Sequence, residues 1–335
     1  MGQTLSNTFI SLSDHLLAQL PTTQADLRGR TYIVTGSNVG VGLATAIHLA
    51  RLNPARLILA VRNLEKGEAA KRDIITQTNF AGALEVWELE MEDFSSVVAF
   101  AERANTSLDR LDGAILNAGI LSKDWSVTID GWERMLQVNV LSTGLLSVLL
   151  LPRLQTTTKL PPPHPDVSHM PPHLTITGSA AQIRANLSTK RLSTKTDILL
   201  ALNDPNKIKS GRYPISKLFN LVIARKVAHL PRAEGVVVNV AHPGTVYTEI
   251  VRDYKLGRFV MFWFRLVGWS PAKGALNLLY AVLSPTPPGA YIATCQIREP
   301  PPWIKTKEGL ELQKTAWDEL VALWRRVCPE VDNIL

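Results

Sequence analysis

Cysteine is scarce in this chain, which has only Cys295 and Cys328 among its 335 residues. Two cysteines cannot form the disulfide framework of a small secreted domain, and their spacing matches no zinc motif. Residues 1–29 also lack the apolar core of a signal peptide and any apolar run long enough to span a membrane. The sequence therefore predicts a cytoplasmic protein in a reducing compartment.

Charge is also sparse, at 19% of residues, and the net charge of +7 is scattered along the chain. The basic runs, such as Lys190-Arg191 and Arg325-Arg326, are short, which is typical of solvated surface and argues against a nucleic-acid partner. The histidines of residues 164–173 match no zinc spacing, so we expect no metal site. With 46% hydrophobic residues, the chain can bury the core of one large α/β domain with extensions.

Apolar runs alternate with helical patterns along the chain, which indicates a parallel sheet with helices on both faces. The runs predict strands at residues 32–34, 57–61, 84–89, 113–116, 174–177 and 236–240, and a first crossover helix at 42–52. Prolines make residues 152–172 a predicted surface loop. A second insertion, of about thirty residues, separates Ser179 from Tyr213, and we expect it at the edge of the substrate site.

A glycine-rich turn, Thr35-Gly36-Ser37-Asn38-Val39-Gly40-Val41-Gly42, lies between the first predicted strand and the first predicted helix. Its glycines let the backbone approach a pyrophosphate closely, and the start of the following helix offers free N–H groups to phosphates. The spacing is G-x-x-x-G-x-G rather than G-x-G-x-x-G. Two interpretations remain at this point: a dinucleotide site, or a tight connection without a ligand.

Tyr213 and Lys217 are four residues apart on a predicted helix and therefore share one face. An ammonium fixed beside a phenol favours the phenolate and lowers the pKa of the phenol towards neutral pH. The pair predicts an acid/base group. The alternative is an ordinary solvated helix face, which can carry the same spacing by chance.

Together the two motifs resemble the short-chain dehydrogenase/reductase family over residues 30–283. Further segments match that family in the expected order: Leu116-Asn117-Ala118-Gly119, Thr128-Ile129-Asp130-Gly131-Trp132-Glu133, Gln137-Val138-Asn139-Val140, Ile176-Thr177-Gly178-Ser179 and His242-Pro243-Gly244-Thr245-Val246-Tyr247-Thr248. The second and third are similar to the retinol-dehydrogenase-like branch, and the chain also resembles fungal members of secondary metabolism. The resemblance implies a doubly wound Rossmann-type parallel sheet in a single α/β domain.

The resemblance also implies the roles of four residues. Tyr213 would be the acid/base, and Lys217 would lower its pKa and bind the nicotinamide ribose. Ser179 would hold the substrate oxygen, and Asn139 would position a water that links Lys217 to solvent. The expected reaction interconverts a hydrophobic alcohol and its ketone or aldehyde with NADP(H). A non-catalytic NADP(H)-binding sensor or scaffold is the alternative.

The end of the second predicted strand indicates which nicotinamide cofactor binds. An NAD-selective site places an acidic residue there, but Val61 takes that position and Arg62 follows it, which suits a 2′-phosphate. Glu90 stands where the family more often has aspartate, and we expect it near adenine. The predicted cofactor residues are Gly36, Ser37, Asn38, Gly40, Val41, Gly42, Arg62, Glu90, Asn117, Ala118, Gly119, Tyr213, Lys217, Pro243, Gly244, Val246 and Thr248.

The predicted organisation is an N-terminal extension, residues 1–29, followed by an NADP-binding domain, residues 30–335. The extension fits a loose myristoylation pattern at Gly2. A substrate-covering segment is expected at about 249–270. Its aromatic part, residues 257–269, has three interpretations: a lid over an apolar substrate, an interfacial membrane anchor, or core packing or a dimer contact. Peripheral membrane contact and homo-oligomerisation therefore stay open.

Overall fold

The computed structural model describes residues 18–185, 197–208, 210–247 and 268–335. Its centre is a sheet of eight strands in the order β3-β2-β1-β4-β5-β6-β7-β8. Strands β1 to β7 are parallel, and β8 is antiparallel to β7. The strands are β1 Thr31–Thr35, β2 Arg56–Val61, β3 Ala83–Glu88, β4 Gly113–Leu116, β5 His173–Thr177, β6 Val237–His242, β7 Ala290–Ala293 and β8 Gln296–Arg298.

Helices cover both faces of the sheet. They are α1 Gly40–Arg51, α2 Leu64–Thr78, α3 Phe94–Ser107, α4 Arg134–Thr158, α5 Ile198–Leu202, α6 Arg212–Val227, α7 Pro271–Leu283 and α8 Lys307–Val327. One apolar core includes buried side chains of α3, α4, α5, α6 and α8, and a second core includes those of α1, α2 and α7. Strands β1, β4 and β5 are buried at every position, as expected for a parallel sheet between two helix layers. The predicted doubly wound α/β fold is confirmed.

The prediction of a loop over residues 152–172 is wrong for its first part. Helix α4 continues to Thr158, with Pro152 in the first turn of its last segment, Leu151–Thr158. Proline is tolerated in a first turn because the N–H that it lacks would have no intrahelical partner there. The Leu154 N–H resumes the helical pattern by bonding to the Leu150 carbonyl at 3.2 Å. Residues 161–172 lie outside helices and strands, as predicted.

Helix α4 is the core helix that carries Asn139. Among the described residues it is the one helix long and apolar enough to cross a membrane, but 94% of its apolar window is buried inside the protein. The segment Gln137–Ser142 adopts a π-helical turn. Such turns insert one extra residue per turn and are frequent at functional sites.

Strands β7 and β8 are absent from the sequence prediction. They contain only four and three residues. The turn between them places Thr294 and Cys295 in the left-handed region, with φ of 53° and 52°. Hairpin turns of this kind are usually marked by asparagine or glycine, so the sequence gives no turn signal here.

Helix α8 packs over α4 and α6 and fixes α5. Trp324 is fully buried, and its indole N–H donates to the Leu141 carbonyl at 3.0 Å. Gly144 permits this contact, because a Cβ at that position would lie 2.5 Å from the Trp324 ring. The Glu319 carboxylate accepts the first two N–H groups of α5 at 2.9 and 2.8 Å. The helix therefore connects three other helices on one face of the sheet.

The packed unit begins before residue 30, the predicted start of the domain. Leu27 is fully buried in the core shared by α1, α2 and α7, and its N–H donates to the Leu52 carbonyl at 3.4 Å. The predicted modification site at Gly2 lies outside the described residues, and so do residues 248–267 of the predicted substrate-covering segment.

Candidate active site

A crevice of about 470 Å³ lies at the carboxyl ends of the parallel strands. The glycine-rich turn after β1, the ends of β2 to β6 and the start of α6 form its walls. Open α/β sheets bind their ligands at this edge. The predicted site residues that line the crevice are Gly36, Asn38, Gly40, Val41, Arg62, Glu90, Asn117, Ala118, Gly119, Ser179, Tyr213, Lys217, Pro243, Gly244 and Val246.

Three predicted residues that the structure describes do not line the crevice. Ser37 and Asn139 are fully buried behind the lining. Gly42 supports the glycine-rich turn, since a Cβ there would lie 2.3 Å from the Gly36 carbonyl oxygen. These three residues shape the site from behind. Thr248 lies outside the described residues.

The glycine-rich turn forms a cradle that fits a dinucleotide. Gly36 and Gly40 both have left-handed backbone, with φ of 63° and 61°, and a Cβ at Gly36 would lie 3.0 Å from the Ala118 Cα. The Thr35 hydroxyl accepts the N–H groups of Asn117 and Ala118, each at 2.9 Å. The Asn-Ala-Gly segment is thereby held against the turn. The glycines themselves add no side chain to the turn, so its backbone N–H groups can face a pyrophosphate.

Ser179, Tyr213 and Lys217 form one cluster in the wall formed by the end of β5 and the start of α6. Tyr213 and Ser179 both line the crevice, and the Ser179 hydroxyl oxygen accepts the Ala181 N–H at 3.1 Å. The Lys217 Nζ lies 5.8 Å from the centre of the Tyr213 ring and donates to the Thr177 carbonyl at 2.9 Å. Residues predicted from separate motifs are therefore brought together.

The electrostatics of this cluster differ from the sequence expectation. Burial raises the pKa of Tyr213, and the nearby Ser179 hydroxyl opposes that rise. Loss of solvent around the phenolate is the largest effect, so the net direction is opposite to the expected one; that Lys217 lowers this pKa remains a prediction. Burial also lowers the pKa of Lys217 to about 8. At pH 7 the tyrosine is therefore a neutral phenol and the lysine is mainly charged.

Asn139 lies within the π-helical turn of α4. Its side chain accepts the Ile120 N–H at 2.8 Å and donates to the Ile120 carbonyl at 2.9 Å. It also donates to the Ser216 hydroxyl at 3.0 Å, which joins α4 to the helix of Tyr213 and Lys217. The predicted role of Asn139 in positioning a water remains a prediction.

The crevice end beyond β2 and β3 contains charged residues that sequence reasoning missed. Arg62, predicted for a 2′-phosphate, is ion-paired with Glu92 at 3.0 Å and with Glu90 at 3.6 Å. Glu92 also accepts a hydrogen bond from Arg134 at 2.7 Å. Lys66 and Glu92 both line the crevice. Lys66 could have been found from its position in the first turn of the helix that follows Arg62.

Two further residues shape the substrate side. His242 lines the crevice at the end of β6, and its Nδ1 accepts the Ala180 N–H at 3.2 Å, next to Ser179. Trp269, in the predicted substrate-covering segment, is buried, and a Cβ at Gly244 would lie 2.4 Å from its ring. For Trp269 the structure therefore supports core packing rather than a lid or an anchor.

The chain is similar to known oxidoreductases. The family profile described as short chain dehydrogenase matches residues 30–159. The short chain dehydrogenase/reductase dmxR8 of Cryptosporiopsis sp. is 34% identical over 329 residues, which cover 96% of this chain and 98% of that protein. The chain belongs to the short-chain dehydrogenase/reductase family. Members of this oxidoreductase family bind a nicotinamide cofactor, which the glycine cradle fits.

Relatives of this short-chain dehydrogenase/reductase include other fungal proteins and solved bacterial structures. The short chain dehydrogenase opdN of Penicillium oxalicum is 38% identical over 283 residues, 81% of this chain and 88% of that protein. An uncharacterized protein of Mycobacterium paratuberculosis has a TM-score of 0.61 at 26% identity, over 92% of this chain and 96% of that chain. A short chain dehydrogenase of Shigella flexneri complexed with NADP has a TM-score of 0.55 at 21% identity, over 78% and 94%; this likeness shows the fold. The retinol-dehydrogenase-like branch remains a prediction.

Proposed function

We propose that this short-chain dehydrogenase/reductase is an NADP(H)-dependent oxidoreductase that interconverts a hydrophobic primary or secondary alcohol and its aldehyde or ketone. Tyr213 and Ser179 line one crevice with Lys217 buried beside the Tyr213 ring, and this arrangement carries the proposal. The pair opens into the same crevice as the glycine cradle. A proton donor and a nucleotide cradle in one crevice are what hydride transfer to a carbonyl requires.

The chain's own residues would handle the proton and the oxygen. A bound nicotinamide would supply or accept the hydride. In the reductive direction, Tyr213 donates its phenol proton to the substrate oxygen while Ser179 holds that oxygen as charge develops on it. Burial keeps the pKa of Tyr213 high, so the protonated form needed for this step is present at pH 7. Lys217 is close enough to stabilise the phenolate that remains.

Basic side chains near β2 support NADP(H) as the cofactor. Arg62 and Lys66 both line the crevice, and Val61 leaves no carboxylate at the position that an NAD-selective site uses. A 2′-phosphate would take the place of the Glu90 and Glu92 carboxylates on the Arg62 guanidinium, because arginine forms charge-assisted hydrogen bonds with phosphate as with carboxylate. The related Shigella flexneri fold is complexed with NADP, which agrees with this choice.

The substrate side of the crevice supports an apolar substrate. Ile120, Leu121 and Val246 line the same crevice as Ser179 and Tyr213. Aliphatic walls favour the binding of a substrate with apolar surface, and the few polar groups of the crevice then fix the orientation of that substrate. The relatives from Penicillium and Cryptosporiopsis support a place in fungal secondary-metabolite biosynthesis.

A screen of apolar ketones and alcohols with NADPH and NADP+, followed by absorbance of the reduced nicotinamide, tests this function. We expect turnover of at least one apolar ketone or alcohol by the parent, and turnover that is lower by at least about 100-fold by Tyr213→Phe. Tight NADPH binding without turnover of any compound would instead support the non-catalytic sensor or scaffold.

A further inference from the structure

A buried ion pair connects the start of the Tyr213 helix to the start of the Asn139 helix. The Arg212 Nη1 lies 2.6 Å from the Glu133 Oε1, and their side chains are only 13% and 2% exposed. Arg212 is the first residue of α6 and directly precedes Tyr213. Glu133 is the residue before α4. Neither residue lines the crevice, so their effect on the reaction has to pass through others.

Both carboxylate oxygens of Glu133 are occupied. While Oε1 accepts from Arg212, Oε2 accepts the Leu136 N–H at 2.8 Å and so caps α4. The Glu133 N–H donates to the Asn203 side chain at 2.6 Å. A buried carboxylate needs partners of this kind, because an uncompensated buried charge is costly. The Glu133 side chain is therefore held in one position, and it holds the Arg212 guanidinium in turn.

Arg212 reaches a second segment as well. Its Nη2 donates to the Lys123 carbonyl at 2.9 Å and lies 3.5 Å from the Asp124 carbonyl, and its guanidinium lies 5.3 Å from the centre of the Trp125 ring. These residues follow the Asn-Ala-Gly segment that lines the cofactor crevice. One guanidinium thus connects the start of α6, the start of α4 and the loop after β4.

Among the described residues, no side chain caps the start of α6. The residue before it, Gly211, has no side chain to cap the helix and has left-handed backbone with φ of 84°. Glycine is conformationally permissive, so it allows the first turn of α6 to tilt. Within the described residues, the Asn139–Ser216 bond restrains that turn from one side, and Arg212 restrains it at the position next to Tyr213.

We propose that Glu133 and Arg212 are positioning residues that set the place of the Tyr213 phenol relative to Ser179. Removing one partner of such a pair leaves the other charge buried without compensation and lowers stability, so each variant is judged by Tm as well as by kcat. The pair would act by holding the phenol in place, because misplacement of a reacting group by about 1 Å can lower the rate roughly 100-fold. The inference rests on the proposed role of Tyr213 as the acid/base.

Arginine variants separate positioning from general stability. Arg212→Met keeps the aliphatic stem and removes the charge, Arg212→Lys restores a charge, and Arg326→Met on the exposed side of α8 is the matched control. The probes are NADPH and 9,10-phenanthrenequinone, an apolar diketone, or the best ketone of the screen. We expect kcat of Arg212→Met to fall roughly 10- to 100-fold with KM and the NADPH Kd within about twofold, and Arg212→Lys to recover most of kcat.

Glu133→Gln keeps the fold testable if Arg212→Met does not fold. The amide retains an oxygen for the Leu136 N–H and places an NH2 group, which cannot accept a hydrogen bond, opposite Arg212, so its kcat should also fall with the NADPH Kd unchanged. The inference is overturned if the kcat of the folded Arg212 and Glu133 variants matches that of Arg326→Met, or if kcat, NADPH affinity and Tm fall together with no recovery in Arg212→Lys. Full turnover by Tyr213→Phe would instead overturn the proposed function itself.

Discussion

At the scale of single residues, the Tyr213 hydroxyl should be needed for turnover but not for cofactor binding. Tyr213→Phe keeps the ring and removes only the proton donor. We expect the NADPH Kd to stay within about twofold and turnover to fall by about 10²- to 10⁴-fold, the usual contribution of a general acid. Tryptophan fluorescence measures the first quantity and nicotinamide absorbance the second. Tyr280→Phe, in α7 and away from the crevice, should behave as the parent; equal rates in both variants would contradict the role of Tyr213.

The buried charge of Lys217 should lower the stability of the folded protein. Burial lowers its pKa from 10.5 to about 8, so below pH 8 the folded state must bury a charge that the unfolded state exposes to water. Lys217→Met should therefore raise the free energy of unfolding of the cofactor-free protein by about 3 kcal/mol at pH 7. As pH rises from 8 to 10.5, the folded lysine loses its proton first and the parent regains that stability.

Urea unfolding of the parent and of Lys217→Met at pH 7 and near pH 10 tests the direction of this effect. The difference in free energy of unfolding between the two proteins should be widest at pH 7 and small near pH 10. A gap that is equal at both values would show that the lysine is not buried as a charge. We expect the variant to be inactive in either case.

Arg62 should determine the preference for NADP(H). We expect the parent to bind NADPH at least tenfold more tightly than NADH, which is about 1.4 kcal/mol, and Arg62→Ala to bring the two affinities together by weakening NADPH alone. Arg72→Ala, an exposed arginine of α2, is the control. Glu92→Gln should favour NADPH a fewfold, since it removes a competitor for the Arg62 guanidinium. Equal affinities in the parent would contradict the choice of NADP(H).

Sequence predicts some residues of this site better than others, for physical reasons. Tyr213 and Lys217 could be predicted because they are four residues apart on one helix. The glycines could be predicted because a tight turn requires backbone conformations that glycine adopts easily. Glu92 reaches the crevice only because β3 lies beside β2. The ion pair of Glu133 with Arg212 joins residues 79 apart in the chain, and no local pattern carries that information.

At the scale of elements, helix α8 is held by one large side chain. Trp324 fills the space above Gly144 and bonds to the Leu141 carbonyl. Trp324→Ala should lower the free energy of unfolding by about 3–5 kcal/mol through the cavity that it leaves. Trp324→Phe should cost about 1–2 kcal/mol, through the lost indole hydrogen bond and the smaller ring.

Chemical denaturation of both variants measures these costs. Leu310→Ala, at a residue of the same helix that is 54% exposed, is the control and should change stability by less than about 0.5 kcal/mol. If Trp324→Ala were no less stable than this control, α8 would not be part of the cooperative unit.

The elements that sequence predicts well are those with a strong periodic signal. The strands at the centre of the sheet are continuous apolar runs and could be placed within a residue or two. The segment Leu151–Thr158 was missed because a proline in a first turn has the same composition as a proline in a loop. The edge strands β7 and β8 are too short for periodicity to show.

At the scale of the whole molecule, the cofactor should act as a stabilising ligand. The crevice joins the ends of β2 to β6 with the start of α6, so a ligand there binds the folded state only. NADPH at about 100 times its Kd should raise the free energy of unfolding by about 2.7 kcal/mol. Thermal unfolding with NADPH and with NADH at equal concentration measures this, and NADPH should give the larger rise in Tm. Equal shifts in Arg62→Ala would confirm the origin of the difference.

The bond from Trp324 to Leu141 spans 183 residues of the chain, and it sets an order of events at the ribosome. Helices α4 and α6 leave the exit tunnel well before α8, with roughly eighty residues between α6 and α8, which take about 4 to 16 seconds to translate. During that interval the surfaces of α4 and α6 that α8 will cover are open to other nascent chains. We expect chaperones to engage the nascent protein in this window, and a translation pause after α6 to lower the yield of soluble protein.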